Sequence, residues 1–510
     1  MKNSAIHFLC ETVRKFPEKT CIFDEKGKLD FRRFFLKASS TAEVLSRDLK
    51  KNRPILIFLP KSTSAVVSFA ASLLSGNFYV PVDINSPVPR LKKIIGNLMP
   101  WRIISSLRYL EQLKELRIQK EKIFFIEDTP PYKEDQSIDS LIAESCQRID
   151  KIIDLDPCYV MYTSGSTSVP KGVVTCHRGV LDYINWAVSF FKVDENEVIA
   201  NQAPLCFDNS TLDIYLSWAT GAALHLVPER YFIFPADLIE YLEKHRATFI
   251  FFVPSILVNI SRLKLLNNHR LPSLKKIIFA GETMPTQHLA YWQKKLPGRI
   301  FVNLYGPTEI TVDCTYLVVK RIYKAQEILP IGFPRSNMEI LILDELGHPV
   351  KKGEKGELCV RGSSLALGYW NDEEKTKVVF AQNPNQRNYL DSIYRTGDIG
   401  YRNKRGEIIF VGRKDFQIKH LGYRIEPGEI EAAAKSVPGM DNCCVLYNQK
   451  KQEITLFYEG EREIKAEEFR RLLHEKIPDY MIPRKIVRLD SLPLSPSGKI
   501  DRNSLSHEFF

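Results

Sequence analysis

The chain contains 510 residues, which is too many for a single hydrophobic core, so about two to four structural units of roughly 100–200 residues are expected. With 44% hydrophobic and 26% charged residues, its composition is that of an ordinary soluble globular protein. The formal net charge of +11 raises the question of nucleic-acid binding, but basic and acidic residues alternate and no block of five basic residues occurs. A solvated basic surface is therefore favoured, and an acidic protein partner is the more specific alternative.

The cysteines and the apolar segments fit a protein of the reducing cytosol. The ten cysteines are scattered except for the adjacent pair Cys443-Cys444, and no Cys-x-x-Cys spacing occurs, which argues against a zinc site and a disulfide framework. Residues 1–20 have the pattern of an amphipathic helix and lack the apolar core of a signal peptide. The most apolar window, residues 248–260, is shorter than a bilayer requires and contains Pro254. We therefore predict a cytoplasmic protein without a membrane span.

From the N-terminus to about Gly412, short apolar runs alternate with longer amphipathic stretches. Strands are predicted at residues 54–60, 78–83, 249–253 and 276–280, with helices at 64–75 and 90–98. This alternation indicates βαβ units built around largely parallel sheets.

A loop rich in glycine and hydroxyl side chains follows an apolar run at residues 158–161. Residues 162–172 read Tyr-Thr-Ser-Gly-Ser-Thr-Ser-Val-Pro-Lys-Gly. Glycine permits tight turns, exposed N–H groups form anion-binding nests, and hydroxyls with a lysine add donors for phosphate oxygens. The spacing is not that of a Walker A loop, which needs Gly-Lys followed directly by Ser or Thr. The Pro-Lys-Gly ending favours a polyphosphate loop over a merely solvated one.

Asp208 is the first acidic residue of interest. Residues 207–213 read Phe-Asp-Asn-Ser-Thr-Leu-Asp, which places Asp208 in apolar surroundings. Burying a carboxylate without a cationic partner is costly. Either Asp208 caps a helix, as Asp and Asn often do, or it receives a cation from a ligand, and both interpretations stay open.

Two further stretches have the donors and acceptors of a nucleotide site. Residues 303–309, Asn-Leu-Tyr-Gly-Pro-Thr-Glu, end a predicted strand and offer an aromatic face for a base, a hydroxyl, and a carboxylate suited to Mg²⁺. Residues 394–398, Tyr-Arg-Thr-Gly-Asp, end in an aspartate able to accept hydrogen bonds from both hydroxyls of a ribose. Taken singly, each stretch is also typical of an ordinary turn.

Residues 412–424 are predicted to mark a domain boundary. They follow a predicted hairpin at 401–411 and precede a helix at 426–436, a strand, and a second helix near 466–476. This small α+β unit is joined to the rest by one polar segment, and domains commonly swing about such joints. We predict a large N-terminal domain at residues 1–411, a hinge at 412–416 and a small domain at 417–510.

Seven stretches in one order together resemble the adenylate-forming superfamily. They are residues 73–83, 162–172, 207–210, 303–309, 394–398, 412–424 and 496–502. Within the superfamily the sequence is similar to the amino-acid adenylation domains of nonribosomal peptide synthetases and to free-standing D-alanine–D-alanyl carrier protein ligases. The resemblance spans essentially the whole chain. It implies an α/β fold, with a large domain of sheets flanked by helices and a small mobile α+β domain.

The resemblance implies a two-step ligase that uses ATP and Mg²⁺. A carboxylate attacks the α-phosphate of ATP to give an acyl-adenylate and pyrophosphate, and the phosphopantetheine thiol of a separate carrier protein then takes the acyl group. No nucleic-acid partner is implied. Catalysis of phosphoryl transfer depends mainly on positioning the reactants and neutralising their charge. The chain supplies hydrogen-bond donors and cations for both.

The resemblance also implies a role for individual residues. Lys499 bridges the substrate carboxylate and ATP, Glu309 holds Mg²⁺, Thr308 contacts the α-phosphate, and Asp415 is the pivot of the small domain. The residues implied in ATP binding are Thr163, Ser164, Gly165, Ser166, Thr167, Lys171, Ala280, Gly281, Glu282, Asn303, Tyr305, Gly306, Asp398 and Arg413. Among them, Tyr305 stacks on adenine, and Asp398 and Arg413 take the ribose.

By the same resemblance, Asp208 pairs with the α-ammonium group of an amino-acid substrate. The side-chain pocket aligns with Asn209, Leu212, Phe252, Ile278, Ala280, Leu304, Val312 and Asp313. This is a largely apolar pocket for a small or medium side chain, with Asp313 in reach of a hydroxyl or amine. Ala280 stands where D-alanyl ligases typically carry cysteine, which argues against D-alanine as substrate.

Two other hypotheses remain. An acyl-CoA ligase for an acid without an ammonium group would be indifferent to Asp208→Ala. A catalytically silent nucleotide-binding homologue would have a loop damaged at Ser168, which replaces a glycine usual in the family.

Overall fold

The computed structural model describes residues 2–48, 50–132, 134–165, 169–449, 451–460, 463–494 and 500–510. Predicted site residues Ser166, Thr167 and Lys499, together with Ser168, lie outside the described residues. Their roles remain predictions.

The strands are short and mostly buried. In chain order they are β1 (Thr20–Asp24), β2 (Gly27–Asp30), β3 (Pro54–Ile57), β4 (Phe78–Pro81), β5 (Arg102–Ser105), β6 (Ile123–Phe125), β7 (Pro157–Thr163), β8 (Lys171–Cys176), β9 (Val198–Asn201), β10 (Ala223–Leu226), β11 (Phe249–Phe252), β12 (Lys276–Phe279), β13 (Ile300–Tyr305), β14 (Thr315–Val318), β15 (Phe333–Pro334), β16 (Met338–Leu343), β17 (Gly356–Gly362), β18 (Gly368–Tyr369), β19 (Phe380–Gln382), β20 (Ser392–Arg402), β21 (Ile408–Arg413), β22 (Ile418–His420), β23 (Tyr423–Ile425), β24 (Asn442–Asn448), β25 (Glu453–Glu459) and β26 (Lys485–Arg488).

The helices alternate with the strands through the first half of the chain. They are α1 (His7–Lys15), α2 (Phe31–Ser46), α3 (Thr63–Leu74), α4 (Val88–Leu98), α5 (Leu110–Glu115), α6 (Ile138–Arg148), α7 (His177–Phe191), α8 (Asn209–Thr220), α9 (Arg230–Ile233), α10 (Pro235–Lys244), α11 (Pro254–Arg262), α12 (Thr286–Lys295), α13 (Glu373–Val379), α14 (Pro427–Ala434), α15 (Ala466–His474) and α16 (Arg502–Phe509).

Two large sheets form the N-terminal part of the structure. Among the described residues, one sheet has nine strands in the order β15-β14-β13-β12-β11-β9-β10-β1-β2, and the other has seven in the order β18-β8-β7-β4-β3-β5-β6. The central pairings, such as β11 with β12 and β3 with β4, are parallel. The parallel βαβ architecture predicted from the alternation of strand and helix patterns is therefore confirmed.

The main hydrophobic core lies between these two sheets. It is filled by α2, α3, α7 and α8, which contact residues from β3 and β4 on one side and from β9 and β11 on the other. Helix α8 is buried along most of its length, with Ile214, Tyr215 and Trp218 almost fully buried. Its first turn follows the carboxyl end of β9, and the carboxyl ends of strands are where ligands bind in open α/β sheets.

The C-terminal segment forms a small separate core. Strands β24, β25 and β26 make a three-stranded sheet, and α14 and α15 pack on it. The hairpin of β22 and β23 joins this core to the preceding part of the chain. The predicted helix near 466–476 and the predicted hairpin at 401–411, formed by β20 and β21, are both present.

The N-terminal amphipathic helix is shorter than the predicted span of residues 1–20, because α1 ends at Lys15. The described helices include no segment of sufficient length and hydropathy to span a membrane.

Candidate active site

Glu309 is the centre of a buried charge cluster. It lies in a short 3₁₀ turn directly after β13 and is inaccessible to solvent. Arg424 Nη1 donates to both of its carboxylate oxygens, at 3.0 and 2.8 Å, and Lys171 Nζ lies 3.4 Å from Oε1. The Tyr369 hydroxyl donates to the same Oε1 at 2.7 Å. Burial alone would raise the pKa of the Glu309 carboxyl, but Arg424 and Lys171 outweigh burial and hold its pKa well below the usual range.

The phosphate loop opens beside this cluster. It connects β7 to β8, which pair antiparallel, and Ser164 Oγ donates to the backbone oxygen of Arg424 at 2.7 Å. A Cβ on Gly165 would lie 2.0 Å from the backbone oxygen of Val169, so only glycine fits this turn. The Thr163 hydroxyl is buried without a hydrogen-bond partner among the described residues. A buried, unused donor at the loop suits a ligand oxygen.

A second cluster lies where a ribose is predicted. Tyr305 Oη donates to Asp398 Oδ2, and Arg413 Nη1 donates to Oδ1. Both oxygens of Asp398 are therefore engaged, so a ribose would have to share or replace these contacts. Arg413 also binds Asp415 with two donors, at 2.6 and 2.8 Å, which ties the predicted pivot to the predicted ribose site. Lys419 Nζ lies 5.4 Å from the centre of the Tyr305 ring predicted to stack on adenine.

Asn303 and Glu282, which are predicted to lie beside adenine, hydrogen-bond to other parts of the protein. The Asn303 amide donates to the backbone oxygen of Pro330 at 2.8 Å, so it braces the chain rather than pointing a free donor at a base. Gly281, directly before Glu282, has a positive φ of 90°, a conformation that favours glycine. Glu282 accepts hydrogen bonds from the backbone of Ser255 at 3.0 Å and of Gly422 at 2.8 Å, and so links the large domain to the β22–β23 hairpin.

Among the described residues, Asp208 forms no salt bridge. It immediately precedes α8, yet its side chain makes no capping hydrogen bond, so the helix-cap interpretation is not supported. The Thr308 side chain and the Asn209 backbone hydrogen-bond to it, and the Arg424 charge acts to lower its pKa without a salt bridge. Burial raises the pKa of its carboxyl to about 6. A group that gains by receiving a positive charge is thus placed next to Thr308 and Glu309.

Asp313 is a second buried carboxyl close to Asp208. It is 1% exposed and accepts a hydrogen bond of 2.8 Å from the Tyr183 hydroxyl. Burial, with a contribution from the nearby Asp208 charge, raises its pKa to about 7. Arg335 donates to the backbone oxygen of Asp313 at 2.9 Å and uses its terminal nitrogens elsewhere, so it fixes the position of Asp313 without pairing with its carboxylate.

Apolar side chains from α8 and from three neighbouring strands surround these two carboxyls. Each of the following predicted pocket residues is at most 2% exposed: Leu212, Phe252, Ile278, Ala280, Leu304 and Val312. Asn209, the first residue of α8, is partly exposed. Leu212, Ile278, Ala280, Leu304 and Val312 belong to one hydrophobic core, whereas Phe252 belongs to a second core on the same sheet. Their binding of a substrate stays a prediction.

The turn that precedes Asp313 is strained. Thr311 and Val312 have φ values of 59° and 69°, which β-branched residues rarely adopt. The Thr311 hydroxyl donates to the backbone oxygen of Ser364 at 2.8 Å, and a Cβ on Gly306 would lie 2.3 Å from the Val312 oxygen. Surrounding contacts thus hold Asp313 in a conformation that the turn alone would not adopt.

Asp313 should destabilise the free protein at alkaline pH. Its pKa rises from 3.8 to about 7, so the folded state holds the proton more tightly, and stability falls as pH rises from about 4 through 7. Asp313→Asn removes this loss. We expect the variant to gain about 4 kcal/mol at pH 8, where the full rise of roughly three pKa units acts, and to match the unchanged protein at about pH 3.5. Scanning calorimetry at the two pH values checks this, and an equal gain at both would contradict it.

Three contacts dock the small domain over the site. Arg424 reaches Glu309, Glu429 forms a buried ion pair with Arg90, and the Tyr423 ring packs edge-on against Phe207 with centroids 5.0 Å apart. The prediction of a hinge at 412–416 is not tested by this single arrangement. Residues next to Lys499 belong to the small domain, where Ile500 pairs with Leu494 and Arg502 donates to the backbone oxygen of Val445.

Sequence reasoning missed Arg424, Tyr369, Tyr183 and Arg335 as site residues. Arg424 lies in a stretch that the sequence singled out, but nothing in the pattern indicated its partner 115 residues away. Tyr369 belongs to β18, which pairs with β8 at the edge of the seven-stranded sheet. Pairing between strands that are far apart in the sequence leaves no periodic pattern in the local sequence, so these contacts could not be predicted from it.

The sequence matches two families of known proteins. The AMP-binding enzyme family matches residues 9–370, and the AMP-binding enzyme C-terminal domain family matches residues 429–499. Zwittermicin A synthase ZmaJ of Bacillus cereus is 32% identical over 511 residues, which cover 97% of this chain and 93% of that protein. The D-alanine–D-alanyl carrier protein ligase of Listeria monocytogenes is 31% identical over 525 residues, covering 100% of this chain and 99% of that protein.

Solved structures share the fold. The Vibrio cholerae adenylation domain AlmE, in complex with glycyl-adenosine-5'-phosphate, superposes with a TM-score of 0.84 at 22% identity and covers 100% of this chain and 98% of that one. This likeness confirms the predicted fold class, with a large N-terminal and a small C-terminal domain.

Proposed function

Because this chain belongs to the AMP-binding enzyme family, we propose that it is a ligase that activates an amino acid with ATP and loads it onto a carrier protein. In the first half-reaction, an oxygen of the substrate carboxylate bonds to the α-phosphorus of ATP, and pyrophosphate leaves. In the second, the thiol of a phosphopantetheine arm on a separate carrier protein attacks the carbonyl carbon of the aminoacyl-adenylate. AMP leaves, and the sulfur loses its proton to solvent. The relatives named as carrier protein ligases support this assignment.

The observation that carries the amino-acid assignment is Asp208, which is buried without a salt bridge to any residue that the structure describes and keeps a raised pKa despite the Arg424 charge. A carboxylate that is buried without a cation is costly, and the α-ammonium group of an amino acid would relieve that cost. The Thr308 side chain hydrogen-bonds to Asp208, which supports an ammonium site next to the proposed α-phosphate site. A fatty acid or acetate offers no positive charge for this position.

The cations and donors around Glu309 fit the nucleotide. Lys171, the Ser164 hydroxyl and the unpartnered Thr163 hydroxyl lie on or beside the β7–β8 loop, where they would contact phosphate oxygens. Burial lowers the pKa of Lys171 to about 8, so its ammonium form still dominates at neutral pH. Lys499 would approach the reacting oxygens from the small domain and stabilise the charge that develops there.

A divalent cation does not fit the arrangement of Glu309 that the structure shows. Arg424 and Lys171 already neutralise this carboxylate, and the described residues contain no cluster of three or more acidic, histidine or cysteine side chains that would hold a metal. In this conformation Glu309 serves as the partner of Arg424 and Lys171.

We propose a cytoplasmic location, since ATP is supplied there. All ten cysteines are free, which fits a reducing compartment.

Amino-acid-dependent exchange of pyrophosphate into ATP tests the proposed function. We expect exchange with at least one member of a panel of L- and D-amino acids, and none with the matching acids that lack the α-amino group. Failure of every amino acid, or AMP release that depends on coenzyme A and an amine-free acid, would reject the proposal.

The same panel tests Asp313. A site built to bond a side-chain donor rejects an analogue that lacks it by about 10⁴-fold, so we expect a substrate with a hydroxyl or amine to exceed its aliphatic counterpart by that order. In Asp313→Asn this preference should shrink strongly. Equal loss of both substrates would instead indicate a purely structural role for Asp313.

A further inference from the structure

The carboxylate of Glu309 has few positions left for another ligand. Oε1 accepts from Tyr369 and Arg424 and has Lys171 at 3.4 Å, while Oε2 accepts from Arg424. The Arg424 nitrogen lies between the two oxygens, since its distances to them are 3.0 and 2.8 Å. This is the position that a chelated cation would take. A magnesium ion needs oxygen ligands at about 2.0–2.1 Å, so it cannot enter while the guanidinium stays.

Electrostatic repulsion also opposes the binding of a cation to Glu309 while Arg424 is present. A divalent ion bound to the Glu309 carboxylate would be repelled by the positive charge of the adjacent Arg424 guanidinium group. The phosphates of a nucleotide would offset part of this repulsion but would not restore the carboxylate lone pairs that Arg424 occupies. Removal of Arg424 from Glu309 is the arrangement that frees those lone pairs.

Arg424 is held at the site through its backbone as well as through its side chain. It lies on β23, and its backbone oxygen accepts the Ser164 hydroxyl at 2.7 Å. In the same hairpin, the Gly422 amide donates to Glu282. The side chain and the hairpin therefore share contacts with the large domain on three sides of the site.

We propose that Arg424 and a divalent cation are alternative partners of Glu309, so that the cation binds only after the β22–β23 hairpin has left the site. Arg424 supplies the positive charge when the hairpin is docked, and the cation supplies it when the hairpin is withdrawn. This inference rests on the proposed function only in that the cation arrives with a nucleotide. It assigns to Arg424 a positioning role, which decides when Glu309 is free.

Binding of Mn²⁺, followed by electron paramagnetic resonance, tests the competition. The probe is Mn²⁺ with an ATP analogue whose α–β bridging oxygen is a methylene group, without amino acid, on the full chain. If roughly nine-tenths of the free protein has the hairpin docked, Arg424→Gln should tighten Mn²⁺ binding about tenfold. Glu309→Gln should weaken it in both backgrounds. Arg488→Gln, which removes an exposed guanidinium that bonds the Gly460 backbone, is the matched control and should bind as the unchanged protein does.

Hydrogen exchange of a peptide covering residues 418–425 provides a second readout. Mn²⁺ with the analogue should speed exchange in this peptide of the unchanged protein, whereas AMP without metal should not. A fully bound cation with the peptide still protected would overturn the inference, as would equal or weaker Mn²⁺ binding in Arg424→Gln. Both measurements omit the amino acid, so they are independent of the exchange assay that tests the proposed function.

Discussion

Asp208→Ala is expected to reduce kcat/KM for amino-acid-dependent pyrophosphate exchange by about 10²–10³-fold, because the substrate ammonium then enters a buried site without its anion. Removing one partner of a buried ion pair costs about 3–5 kcal/mol, which corresponds to this range. The same reasoning predicts that exchange declines as the pH falls below about 6, where Asp208 takes up a proton.

Matched variants distinguish the effect of the Asp208 charge from the effect of its side-chain size. Asp208→Asn keeps the size but not the charge, and should lose nearly as much activity as Asp208→Ala. Asp213→Asn alters another buried carboxyl of α8, one that accepts a hydrogen bond from Asn201 at 2.9 Å, and should leave the KM for the amino acid unchanged. An Asp208→Ala enzyme with ordinary amino-acid kinetics would refute the ammonium site.

Lys499→Ala is expected to lower adenylate formation by about 10²–10³-fold, the loss typical of removing a group that stabilises transition-state charge. Transfer of the aminoacyl group from a supplied adenylate to the carrier thiol should continue at nearly the original rate. The reason is that the docked hairpin of β22 and β23 contacts Glu309 in this arrangement, so the small domain can offer the site groups other than Lys499.

Single-turnover assays of the two half-reactions measure this difference. Lys499→Arg retains the charge and should recover part of the adenylation rate. Equal losses in both half-reactions would contradict a mechanism in which the small domain presents different groups for each step.

The local sequence pattern was sufficient to predict much of the fold. The apolar runs at 54–60 and 276–280 became β3 and β12, because a buried parallel strand must be apolar on both faces. The helix at 64–75 became α3, which begins where the Ser62 side chain caps the Ala65 amide. Termini were less predictable, since the first helix ends at Lys15 rather than extending through residue 20.

The site was predictable as a set of residues and not as a set of contacts. The resemblance identified Glu309, Asp398 and Arg413 as site residues. The structure adds the hydrogen-bond partners that the Glu309 and Asp398 carboxylates already have. The pairing of Glu309 with Arg424 joins residues that are distant in sequence and depends on how the small domain docks. The bond from Tyr183 to Asp313 depends on where α7 packs in the core. Neither contact can be read from the hydrophobic periodicity or the motif spacing of the sequence.

The left-handed turn at Thr311 and Val312 also has a consequence for substitutions in the proposed pocket. It lies between β13 and β14, so Val312 and Asp313 contribute no ladder hydrogen bond to the sheet. Substitutions at these two proposed pocket positions can therefore alter the pocket without breaking a strand pairing. Phe252, Ile278 and Leu304, by contrast, are borne by β11, β12 and β13, so changes at these proposed positions act on the sheet as well.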